Sequence, residues 1–148
     1  ITKQTVDNVC VKTVEASVYN LSKFILSCNT GAAMACIDEL FYMRTDAMAV
    51  FYNIASAFCD IYRVFTARQN GESTASVAKI FSYKNKEFLL DKALNNLSKF
   101  DEKKLNLCLT AIYDADNALK SFGANERIIL EQLTVRLIYI IAKGEKID

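Results

Sequence analysis

Asp114 and Asp116 form the pair of carboxylates within a helical stretch that comes nearest to an acid–base couple. Such a couple needs both groups facing one reacting bond. Two positions apart on a helix they point to different sides, so they do not form a dyad. The chain contains no histidine, which removes the commonest general base and the commonest metal ligand together. A Ser-His-Asp triad, a Cys-His pair and every zinc site that uses imidazole are thereby excluded within these 148 residues. The five cysteines, Cys10, Cys28, Cys36, Cys59 and Cys108, contain no C-x-x-C spacing. They read as small buried hydrophobes of a protein kept in a reducing compartment. Gly31, Gly71, Gly123 and Gly144 stand singly, so no phosphate-cradling loop can be assembled from them. No cofactor or metal is expected, and no catalytic residue.

What remains are residues suited to pairing and to contact. Asp116 falls on the apolar stripe 105, 109, 112, 116, 119, with Lys120 one turn later. That spacing predicts a partly buried carboxylate held by a local donor, or a buried pair at a subunit joint. Arg63 lies on the polar stripe Asn53, Ser56, Asp60, Arg63 of an otherwise apolar helix, and is a candidate partner contact. From Arg63 to Lys104 nine Lys/Arg stand against five acids, a net of +4, in a chain whose overall charge is +1. With Phe81 and Tyr83 interleaved, and short helical segments on either side of a turn, this region allows a second reading. It is that of a helix-turn-helix-like DNA-binding regulator. The aromatics Tyr19, Phe41, Tyr42, Phe51 and Tyr52 exceed the needs of one small core if several prove exposed, and would then mark a lateral partner surface.

The elements that position these residues are helices. With no proline and four glycines, the chain has little material for hairpins. Apolar residues recur at three and four throughout. Thr2 heads a short first helix, and a second carries Val18, Leu21, Phe24, Ile25 and Cys28. Thr30-Gly31 opens a third. Asp46 caps a long helix from Ala47 to about Arg68, apolar over most of its circumference and therefore central. Ser73 starts a short helix through Ile80, and Asn85 caps another to about Lys99. Phe100-Asp101-Glu102 starts the next, Gly123 ends it, and Asn125 caps a last helix to Lys143-Gly144. The expectation is an all-α helical bundle. No apolar run approaches the roughly 20 residues that span a bilayer, and no signal-peptide pattern opens the chain. It begins at Ile1 and is expected to be a piece of a larger protein.

The order Asp60-Ile61-Tyr62-Arg63, Gly71-Glu72-Ser73, Val77-Ala78-Lys79-Ile80, Leu89-Leu90, Ala115-Asp116, Leu119-Lys120 and Ile129-Leu130-Glu131-Gln132-Leu133 resembles a known family. It is similar to the C-terminal part of the delta subunit of bacterial DNA polymerase III, a component of the clamp loader. The family often has proline near the start of the long helix, and this chain has none. The resemblance implies a division into 1–18, the tail of a preceding lid domain, and 19–148, a clamp-loader collar-type domain. It further implies a non-catalytic role in packing with the delta prime and tau/gamma subunits in the bacterial cytoplasm. The sliding clamp is then met by other parts of the full-length protein, and DNA contact by this piece is not expected.

Overall fold

The computed structural model describes residues 16–83 and 85–145. Among them there are seven α-helices and no strand, as the composition requires. Helix α1 covers 16–26. It is followed by α2 Thr30–Tyr42, α3 Ala47–Gln69, α4 Thr74–Ile80, α5 Glu87–Asn96, a 3-10 turn Leu97–Lys99, α6 Glu102–Leu119 and α7 Glu126–Lys143. The short helix expected after Thr2 lies outside the described residues, and the division expected at 18/19 falls inside α1.

The helix starts follow side-chain capping. Asp46, Ser73, Asp101 and Asn125 each accept a hydrogen bond from a first-turn N–H, satisfying a donor that the helix itself leaves free. Helix α2 opens at Thr30 as expected, with Asn29 as its cap accepting from the Ala32 N–H. One start differs from the sequence reading, that of α5. Helix α5 begins after Lys86 with no side-chain cap, because Asn85 adopts a left-handed conformation at φ 64° and turns the chain instead.

Helix α3 is the hub. It packs on α4, α5, α6 and α7, while α6 and α7 form a helical hairpin and α2 lies along α7. Phe58, at its middle, is fully buried and meets Phe100 edge-on, with ring centroids 5.9 Å apart. Ile54, Ile61 and Val64 extend the same face. The α2–α7 pair is antiparallel: the Cys28 thiol donates to the Ile138 carbonyl oxygen at one end, and Arg127 donates to Asp38 near the other. Helix α1 is tied to α2 by Ser17, which donates to Glu39 at 3.3 Å, and to α3 by Ser22, which donates to Asn53 at 2.9 Å.

The polar stripe of α3 is only partly a solvated face, exposed at Ser56. Asp60 is buried, Asn53 is half-buried, and both lie where α3 meets its neighbours. The cysteines divide likewise: Cys36 and Cys108 are buried, Cys28 is half-buried, and Cys59 is exposed, against expectation. Cys10 lies outside the described residues. Burial pushes the Cys108 thiol up to about 12, which keeps it a neutral hydrophobe.

Candidate interaction surfaces

Arg63 sits at a joint between α3 and the turn after α4. Its guanidinium donates to the Tyr83 hydroxyl at 2.8 Å, while that hydroxyl donates to the Asp60 carboxylate. Arg63 also stands 4.0 Å from Asp60 and covers the Phe81 ring at 4.3 Å from its centroid. The turn is held to α3 by this chain of donors and by a cation over an aromatic face. Burial raises the pKa of Asp60, opposed by the Tyr83 hydrogen bond and the Arg63 charge. Burial and the adjacent Asp60 likewise raise that of Tyr83. The sequence placed Arg63 and Asp60 on one stripe; it held no sign that Tyr83, 20 residues from Arg63, would complete the set.

Asp116 and Lys120 lie far from Arg63 in the chain, on the last turn of α6. The Lys120 ammonium donates to the Asp116 carboxylate at 3.0 Å, and the side chains are 59% and 28% exposed respectively. The pair therefore sits at the rim of the apolar stripe, whose buried members are Leu105, Cys108, Ala111, Ile112, Ala115 and Leu119. The hydrogen bond to Asp116 raises the pKa of Lys120.

That end of the bundle is rich in unburied aromatic surface. Phe122, in the turn between α6 and α7, is fully exposed, and Tyr42, at the end of α2, is 90% exposed. The antiparallel run of α2 on α7 brings the end of α2 to the start of α7, where Arg127 holds Asp38 and stands 5.7 Å from the Phe41 ring centroid. Tyr52, more than half exposed near the start of α3, is within electrostatic reach of Lys120. Ile128 adds further apolar surface. Of the aromatics singled out in the sequence, Phe51 belongs to the core, Tyr19 and Phe41 are half-buried, and Tyr42 and Tyr52 face outward. Phe122 was not foreseen, because a phenylalanine beside Gly123 in a short turn has no helical periodicity to place it.

Four cations of the basic stretch make contacts within the fold. Arg63 is held by Tyr83 and Phe81, and the Lys92 ammonium lies 3.7 Å from the Tyr19 ring centroid. Lys99 donates to the Leu26 carbonyl at 2.9 Å, and Lys104 to that of Ile141 at 3.1 Å. Among the described residues no group of three or more acids or cysteines is placed to hold a metal ion. No described helix is long and apolar enough to cross a membrane.

Comparison with known proteins agrees with this architecture. No curated protein matches the chain by sequence. The Bacillus subtilis DNA clamp loader delta protein (YqeN) is similar in structure, with a TM-score of 0.72 and 17% identity. The superposition covers 84% of this chain and 36% of that one, so this chain spans little more than a third of that protein. The profile of the family described as DNA polymerase III delta subunit, C-terminal domain, matches residues 15–137. This match takes in all seven helices except the last residues of α7. The chain belongs to the family formed by the C-terminal domains of DNA polymerase III delta subunits.

Proposed function

We propose that this chain is a non-catalytic assembly domain of a clamp-loader delta subunit, packing with the delta prime and tau/gamma subunits during sliding-clamp loading in the bacterial cytoplasm. The observation that carries the reading is the exposed aromatic end formed by Tyr42, Tyr52 and Phe122. Withdrawing one such ring from water contributes roughly 1.5–3 kcal/mol, enough for a few of them to anchor an interface between subunits. In this reading residues 1–18 are the tail of a preceding lid domain, running into the first turn of α1, and contact with the sliding clamp belongs to parts of delta beyond the matched region.

The test is co-elution of the 148-residue chain with the other clamp-loader subunits of the same source, with duplex DNA run in parallel. The chain elutes with the subunits and not with the duplex. Tyr42→Ala combined with Phe122→Ala weakens that co-elution while leaving the melting temperature in place, since both side chains are almost wholly exposed. Undiminished binding by the double variant would remove the aromatic end from the interface. A salt-sensitive shift with duplex alone would replace assembly by DNA binding.

A further inference from the structure

A groove of about 500 Å³ runs between α1, α3 and α5, and none of its lining residues belongs to the aromatic end. Its walls are apolar, with Leu26 from α1, Ile61 from α3, and Leu89 and Ala93 from α5. Its rim is basic, carrying Lys23, Lys92 and Lys99. Asp60 also lines it, but that carboxylate already accepts from Tyr83 beside Arg63.

We propose that this groove receives an acidic peptide segment of a partner protein, with an apolar side chain seated between the helices and flanking carboxylates on the lysine rim. Two observations select that occupant. The lysines retain donors: an ammonium has three N–H groups, Lys99 uses two, on Leu26 and Asn96, and Lys92 faces only the Tyr19 ring. The charges are spread rather than convergent. They come from three segments, Lys23 from α1, Lys92 from α5 and Lys99 from the 3-10 turn, which suits carboxylates along a segment better than a single phosphate. The chain's own first fifteen residues carry Lys3 and Lys12 against Asp7 and Glu15, so they lack the acidic excess this rim favours.

Fluorescence polarisation with labelled 12-residue peptides tests the proposal on the whole 148-residue chain. Each peptide carries two leucines four residues apart, flanked by glutamate, serine or lysine; a fourth keeps the glutamates and replaces the leucines by alanine. The Leu/Glu peptide binds, the serine-flanked one about tenfold more weakly, and the other two not measurably. Lys23→Glu combined with Lys92→Glu weakens the Leu/Glu peptide about tenfold. Ser56→Trp, which fills the groove from an exposed position on α3, abolishes binding at an unchanged melting temperature. Equal binding of the serine-flanked peptide, or no binding of any peptide, overturns the proposal. So does displacement of the Leu/Glu peptide by sodium phosphate or a 12-nucleotide oligonucleotide at equal ionic strength.

Discussion

A carboxylate taken out of water costs free energy unless donors answer its charge, and Asp60 meets that condition only in part. Tyr83 donates to it and Arg63 stands at 4.0 Å, yet burial still raises its pKa. A carboxyl whose pKa is higher folded than unfolded binds more protons in the folded state between the two values. Stability from this group is therefore greatest in acid and falls as pH rises through that window, from the ordinary value near 3.8 upward. Tyr83, also raised, works against stability only above its ordinary value of 10, where the unfolded chain ionises first. Asp60→Asn keeps an oxygen to accept from Tyr83 and discards the buried charge. At pH 7 it unfolds no more easily than the wild type in urea, and its advantage disappears as the pH approaches 4. Asp60→Ala leaves the Tyr83 hydroxyl without an acceptor and costs about 1–3 kcal/mol in the same measurement. None of this was legible from the α3 stripe. Periodicity placed Asp60 on the polar stripe without showing that a partner brought in by the α4–α5 turn lets it face inward.

Helix endings follow one pattern that composition concealed. Helices α1, α2, α3 and α4 each close with the N–H two residues past the cap donating back to a carbonyl in the last turn: Asn29 to Phe24, Thr45 to Leu40, Glu72 to Ala67, and Tyr83 to Ala78. That closure requires a left-handed residue just after the cap, a place glycine fills most easily. Only α3 has glycine there, Gly71 at φ 74°. The other three use Cys28, Arg44 and Ser82, at φ 59°, 57° and 59°. A side chain in that region costs roughly 1–2 kcal/mol, of which glycine's larger unfolded entropy would return less than all. Arg44 is exposed and makes no described salt bridge. Arg44→Gly is accordingly expected to stabilise the chain by about 0.5–1 kcal/mol in urea denaturation. The scarcity of glycine correctly argued for helices over hairpins. It hid the turns, because left-handed conformation in cysteine, arginine or serine leaves no trace in composition. The helix starts were more readable, since Asp46, Ser73 and Asn125 advertise their caps by residue type. The start of α5 was missed because Asn85 has the chemistry of a cap but serves as a turn.

At the scale of the whole molecule, a central α3 was evident from its apolar circumference, and the family from the order of its neighbours. The docking of α2 on α7 was not, because contacts between residues as distant as Cys28 and Ile138 have no local signature. This contact closes the fold on itself. One side of the bundle joins early and late segments, and α3 packs on the later helices α4 to α7. Between α3 and α4 the chain passes through Gln69, Asn70, Gly71, Glu72 and Ser73, all exposed. Their backbone is therefore open to cleavage while the helices on either side stay packed. The long reach from α2 to α7 then has a consequence for covalent continuity: the native arrangement does not depend on an unbroken chain. A single protease nick between Asn70 and Glu72 should yield two pieces that travel together on a sizing column and separate only in denaturant. Pieces that part in buffer would show that the join at Gly71, rather than the packing of α3 on α5, α6 and α7, holds the early helices in place.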